Sequence, residues 1–259
     1  MSRLVYSLCF YLAQPLVWFR LLWRARRQPE YLHHLAERYG CYPARPVGPL
    51  LWLHVVSVGE TRAAEPLIKA LLAHYPQHGL LLTHMTPTGR AVGAELIAKL
   101  GSRLHQSYLP YDLPDACARF LAHYRPDFGL LMETELWPNL IAKAKAHGIP
   151  LALVNARLSA RSLRGYQRFL PLIRPAVAAL DLVAAQTTAD AERLAQLGAR
   201  APQVCGNIKF DVTPPADKIS LGQQWRAALG TRPVWLCAST REGEETLILD
   251  AYQKLDRPE

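Results

Sequence analysis

The sequence predicts an α/β protein built on a parallel sheet. Apolar runs of strand length recur from Leu50 onward, amphipathic helical stretches separate them, and Gly148 and Gly198 sit where helix-ending glycines belong. The 259 residues are 50% hydrophobic with mean hydropathy near zero, which allows a substantial core in one large domain or two modest ones. A formal net charge of +9 points to anionic partners: phosphates, nucleic acid or an acidic membrane face. Cys9, Cys41, Cys117, Cys205 and Cys237 show no CxxC or metal-like spacing and read as free thiols in a reducing compartment.

Taken in order, Leu4 to Trp23 is dominated by Leu, Val, Tyr, Phe and Trp. At 1.5 Å per residue, about 20 residues just cover a hydrocarbon core of roughly 30 Å. Arg24, Arg26 and Arg27 follow and only Arg3 precedes, so the positive-inside bias puts the bulk of the chain in the cytoplasm. No small-residue cleavage site follows, which argues against a removable signal peptide. Residues 1–27 are therefore expected to attach the chain to a membrane. Spanning is the preferred form, and Pro15 and Arg20 favour the other form, a helix lying in the interface. Residues 28–49 are polar and Pro-rich and read as a connector, with a helical patch at Tyr31–Tyr39 closed by Gly40.

Strands are expected at Leu50–Val56, Leu80–His84, Gln106–Leu109, Phe128–Met132, Leu151–Val154, Leu182–Ala185 and Gln203–Cys205. Helices are expected near Thr61–Tyr75, Gly89–Leu100, Pro114–Tyr124, Leu136–His147, Ser162–Ala179 and Ala189–Leu197. This alternation over residues 50–210 forms one Rossmann-like lobe. Residues 211–232 break the pattern with Pro214-Pro215 and a helical patch at Gln223–Leu229, as an interdomain linker would. Pro233–Ala238 then reads as a new first strand, followed by a loop and a helix from Thr246 to Leu255. One βα unit cannot bury its own faces, so residues 233–259 are expected to begin a second lobe of a longer protein.

Ligands of open α/β sheets bind beyond the carboxyl ends of the strands. The turn Ser57-Val58-Gly59 puts Glu60 at such an end, and Gly59 allows close approach to the backbone. The plain alternative is an anion in the first turn of a helix. After the second strand, Thr86 and Thr88 flank Pro87 at a helix start, where an ordinary cap competes with an anion site. Pro110-Tyr111-Asp112 is a rigid turn. Glu133 and Glu135 follow the next apolar strand; a helix-entry turn explains one carboxylate and not the second. Asn155, Arg157 and Arg161 offer donors for phosphate or carboxylate, although either Arg can simply pair with a surface carboxylate, Arg161 the more readily. Lys209 lies beside the expected interdomain crevice. His54, inside a strand, reads as a satisfied core histidine.

No GxGxxG follows the first strand, and GxxxxGK[ST] and GxSxG are absent, which weighs against dinucleotide, P-loop and hydrolase chemistry. No basic stripe interleaved with aromatics supports nucleic-acid binding, and none is expected.

Several exact runs resemble the bacterial Kdo transferases: Gln14-Pro15-Leu16, His54 through Thr61, Met85 through Gly89, Leu109 through Asp112, Met132 through Asn139, Asn155 through Ser159, and Gly206 through Asp211. These enzymes move 3-deoxy-D-manno-octulosonic acid (Kdo) from CMP-Kdo to a lipid A precursor, lipid IVA, in lipopolysaccharide assembly. The resemblance covers the whole chain. It implies a GT-B fold of two Rossmann-like lobes at the cytoplasmic face of the inner membrane, in contact with inner-membrane lipids. It also implies that residues 50–210 bind the acceptor and that most of the CMP-binding lobe lies beyond residue 259. The family's catalytic base maps onto Glu60 and a second important carboxylate onto Glu133. Ser57, Gly59, Thr86, Thr88, Asn155, Arg157 and Lys209 are the expected substrate-binding residues, and no metal or cofactor is expected. The rival readings are another GT-B transferase using a UDP-sugar and a non-catalytic, membrane-tethered acceptor-binding lobe.

Overall fold

The computed structural model describes residues 1–211 and 214–255. Two compact units are present, Met1–Val212 and Thr213–Glu259. The first opens with helices α1 (Arg3–Leu12) and α2 (Gln14–Ala25), bent by 49°. The break falls at Ala13, two residues before Pro15, which has no N–H to donate and whose ring clashes with the preceding turn. Gln14 spans the break: its Nε2 donates to Phe10 O at 3.0 Å, and its Oε1 accepts from the Tyr39 hydroxyl at 3.0 Å. Among the described residues no single helix is long and apolar enough to cross a membrane, although the bent pair passes by length and composition.

The alternating part follows: β1 (Leu50–His54), α3 (Val58–Ala63), α4 (Glu65–His74), β2 (Gly79–His84), α5 (Pro87–Leu100), β3 (Leu104–Tyr108) and α6 (Pro114–Tyr124). It continues with β4 (Phe128–Met132), α7 (Pro138–Ala146), β5 (Leu151–Ala156), α8 (Ala160–Gln167), α9 (Leu170–Ala178), β6 (Leu182–Ala185), α10 (Thr188–Gln196) and β7 (Gln203–Val204). The 7-stranded sheet is parallel throughout, in the order β3-β2-β1-β4-β5-β6-β7. The Rossmann-like parallel sheet expected is present, and its strand order is doubly wound. Its direction reverses between β1 and β4, where such sheets open a ligand crevice.

Both faces are covered. On one, Trp52 packs edge-on against Phe120 at 5.0 Å within a core shared with α7, α9 and α10. Gly129 on β4 makes room for it, since a Cβ there would lie 2.4 Å from the indole. On the other, Leu51, Leu53 and Leu82 meet Ile68 and Leu96.

Two expected helices are each divided. Thr61–Tyr75 breaks at Ala64 because Pro66 must sit in the first turn of a helix, and Ser162–Ala179 breaks at Phe169 for the same reason at Pro171. β1 stops at His54 rather than Val56, because the Val56 N–H turns to the Glu60 carboxylate.

The stretch 28–49 contains short 3-10 turns at Pro29–Leu32 and Glu37–Tyr39 instead of one helix, and its Glu37 and Arg38 are buried. Glu37 takes Arg90 NH1 at 2.7 Å and the Tyr108 N–H at 2.7 Å. The Arg38 guanidinium lies 3.9 Å from the Tyr108 ring centre and donates to Met85 O. Gly40, with φ +80°, closes this turn against α6, where a Cβ would meet Ala116 O at 2.7 Å. These residues are thus part of the first unit's packing.

The second unit holds α11 (Ala216–Leu229) and α12 (Glu244–Gln253). The expected strand at Pro233–Ala238 does not form: a strand needs a hydrogen-bonded neighbour, and Val234, Trp235 and Leu236 are exposed.

Candidate active site

At the end of β1 the chain turns into α3 through Ser57, the N-cap. Its Oγ accepts from the Glu60 N–H at 3.4 Å and donates to Glu60 Oε1 at 3.0 Å. The Val56 N–H donates to Glu60 Oε2 at 3.0 Å, so each carboxylate oxygen has one fixed partner and keeps lone pairs free. The space over Gly59 is open; a Cβ there would meet only Ser57 Oγ, at 4.0 Å.

Burial raises the Glu60 pKa above the ordinary carboxylate value. The bonds from Val56 and Ser57 pull it down, and the charges of Glu133 and Glu135 push it up again. Desolvation outweighs the helix start here.

Thr86, not Thr88, caps α5: its Oγ1 accepts from the Gly89 N–H at 3.1 Å. The same hydroxyl donates to Val56 O at 3.2 Å, tying the second loop to the first. Thr88 is exposed and reaches only Thr86 Oγ1, at 3.4 Å.

Across the switch point, Glu133, just after β4, and Asn155, the last residue but one of β5, lie in the left-handed region, with φ of +58° and +50°. Such strain in non-glycine residues gathers at functional sites. Glu133 Oε2 lies 3.4 Å from Arg157 Nε, and the Arg157 side chain is otherwise exposed. Arg157 is therefore the arginine that pairs with a carboxylate, whereas Arg161 forms no ion pair among the described residues, the reverse of the expectation. Asn155 Oδ1 accepts from the Ile208 N–H at 3.2 Å and pins the loop carrying Lys209, whose own side chain is exposed. The buried Asn155 Nδ2 has no partner among the described residues.

Glu135 and His54 are a pairing the sequence did not suggest. His54 is fully buried, with Nδ1 satisfied by Thr83 O at 3.0 Å and Thr83 Oγ1 at 2.9 Å. Its Nε2 makes no hydrogen bond and faces Glu135 Oε2 at 3.8 Å, so it is only half the satisfied core histidine expected. Glu135 Oε2 accepts from Trp137 Nε1 at 2.7 Å. The cleft thus gathers Glu60, Glu133 and Glu135 from two adjacent strand ends, with Arg157 at its edge.

Residues 33–212 match the family model for 3-deoxy-D-manno-octulosonic-acid transferase (kdotransferase). The chain belongs to the Kdo transferase family. It is 48% identical to the 3-deoxy-D-manno-octulosonic acid transferase of Bordetella pertussis, over 98% of this chain and 60% of that one. With the Haemophilus influenzae transferase it shares 35% identity, over 98% of this chain and 60% of the relative. It therefore spans about 60% of the length of these curated Kdo transferases. Among solved structures it resembles the UDP-GlcNAc 2-epimerase of Neisseria meningitidis, at 16% identity and a TM-score of 0.47, over 70% of this chain and 51% of that one.

Proposed function

We propose that the intact protein transfers Kdo from CMP-Kdo to the lipid A precursor lipid IVA, with inversion, at the cytoplasmic face of the inner membrane. The observation that carries this reading is Glu60: a half-buried carboxylate at the carboxyl end of β1, held by Val56 and Ser57, with raised basicity and open space over the adjacent Gly59. A carboxylate in this state takes the proton from an attacking hydroxyl as the new C–O bond forms at the anomeric carbon and the bond to the CMP phosphate breaks. The leaving phosphate keeps the electron pair and is stabilised by donors of the second lobe. Glu133, braced by Arg157, sets the field around the base. Arg157 also turns exposed donors toward anionic groups of either substrate, a task that suits a guanidinium. Ser57 and Thr86 hold the loops, and Asn155 holds the loop that presents Lys209.

The membrane reading rests on the outward faces of α1 and α2, where Leu4, Leu12, Leu16 and Phe19 are 70–81% exposed. Such a face lies in a lipid interface, where a membrane-embedded acceptor is met.

The test is Glu60→Gln in the intact protein. It keeps size and most hydrogen bonds, so thermal unfolding and acceptor affinity stay near wild type while turnover falls about 10²–10⁴-fold. Near-normal turnover in Glu60→Gln together with its abolition in Glu133→Gln would make Glu133 the base.

A further inference from the structure

Helix α1 does not lie against the domain along its whole length. Ser7 Oγ donates to Asn139 Oδ1 at 3.1 Å and the Tyr11 hydroxyl to Asp115, which fixes α1 beside α6 and α7. Between α1, α7 and α9 a groove of about 880 Å³ stays open. That volume lies within the range that encloses small organic ligands. Its floor is apolar, formed by Ala142, Leu172 and Pro175, and Leu4 and Leu8 of α1 form a wall. These two leucines belong to the exposed row that continues through Leu12, so groove and outward face are one apolar surface.

The charged residues lining the groove are Arg3, Lys143 and Lys145, with no Asp or Glu. None of these cations forms an ion pair among the described residues. A peptide would look here for main-chain donors, and the prolines of the lining have no N–H to offer. At 1.5 Å per residue α1 is about 15 Å long, the reach of one acyl chain, since two chains end to end make up a hydrocarbon core of roughly 30 Å. A largely apolar groove whose charged lining is cationic and unpaired matches one acyl chain under an anionic headgroup.

We propose that this groove binds a single anionic glycerophospholipid of the membrane, with one acyl chain between α1, α7 and α9 and its phosphate on Arg3, Lys143 and Lys145. The proposal rests on the membrane reading of α1 and α2 and adds to it a defined lipid site, separate from the carboxylate cleft. A bound lipid completes the packing of α1 and couples its position to the charge of the surrounding leaflet.

Native mass spectrometry of the intact protein in detergent, titrated with dioleoyl phosphatidylglycerol or dioleoyl phosphatidylcholine, tests it. Wild type is expected to retain one phosphatidylglycerol per chain in preference to phosphatidylcholine. The double substitution Lys143→Ala, Lys145→Ala weakens phosphatidylglycerol binding about 30-fold and leaves phosphatidylcholine unchanged. Ala142→Trp fills the floor without altering charge and weakens both lipids. Wild-type binding in Ala142→Trp, or in the lysine variant, would overturn the site. So would displacement of phosphatidylglycerol at lower concentration by a diphosphoryl lipid A-type disaccharide, which would assign the groove to the acceptor. Vesicle pelleting separates this from the anchor reading. Ala142→Trp still pellets through the outward face, whereas a chain lacking residues 1–27 that pellets fully would refute the anchor.

Discussion

A carboxylate at a helix start is ordinarily easy to ionise, because free N–H groups and the macrodipole favour the anion. Glu60 departs from that pattern because partial burial and two like charges oppose the two bonds it accepts. A carboxylate whose pKa is raised is a better proton acceptor, once ionised, than an exposed glutamate. The sign for activity follows. Glu60 works ionised, so turnover is lost as pH falls through its folded pKa, and that acid limb lies at higher pH than an ordinary glutamate would give. Glu133→Gln removes one of the like charges, so the limb should move to lower pH whatever happens to the maximal rate. A pH–turnover profile checks this; a limb that stays in place or moves upward would mean that Glu133 does not act on Glu60 through charge.

At the scale of elements, the site depends on how α7 is seated. Trp137 at its N-cap supplies no side-chain bond, and the cap comes from Asp112, a residue of the turn before α6. Asp112 accepts from the Asn139 N–H at 3.0 Å and the Leu140 N–H at 2.8 Å, and its backbone oxygen accepts from Asn139 Nδ2 at 2.7 Å. Since Asp112 is buried, Asp112→Ala strands the Asn139 and Leu140 N–H groups and is expected to lower unfolding stability by about 2 kcal/mol, measured in urea. Elements with local signals were legible in the sequence. The ends of β4, β6 and α6 coincide with the apolar runs and Pro114 that mark them. The divided helices were not, because apolar periodicity runs through Pro66 and Pro171 unchanged. Glu37 and Arg38 fell within the polar connector with nothing local to mark them as buried, because their partners, Arg90, Tyr108 and Met85, lie far along the chain. The same reason hid the approach of His54 to Glu135, while Glu60 was legible because its strand, turn and helix are contiguous.

Across the whole first unit, topology gathers the acidic cleft at the β1/β4 switch point, and the N-terminal helices turn one face to the domain and one away from it. The inward face makes polar contacts, Ser7 with Asn139, Tyr11 with Asp115 and Gln14 with Tyr39, beside apolar ones in which Leu21 is buried, Tyr6 packs on the core and Trp18 stacks on Tyr39. The outward face carries Leu4, Leu12 and Phe19, which are 81%, 72% and 70% exposed. Deleting residues 1–27 removes both faces at once, so lost pelleting could follow from a disturbed domain as well as from a lost anchor. Substituting only the outward face separates the two. Leu12→Gln, Leu16→Gln and Phe19→Gln together leave the inward contacts and the groove lining in place, so thermal unfolding in detergent should match wild type. Each side chain withdrawn from lipid forfeits roughly 1.5 kcal/mol or more, so the combined variant should partition onto vesicles about 10³-fold more weakly. Vesicle co-sedimentation at high salt, where the attraction of Arg24, Arg26 and Arg27 to anionic lipid is screened, reads this apolar contribution directly. If the triple variant sediments like wild type under those conditions, α1 and α2 are structural braces of the lobe and the membrane contact lies elsewhere.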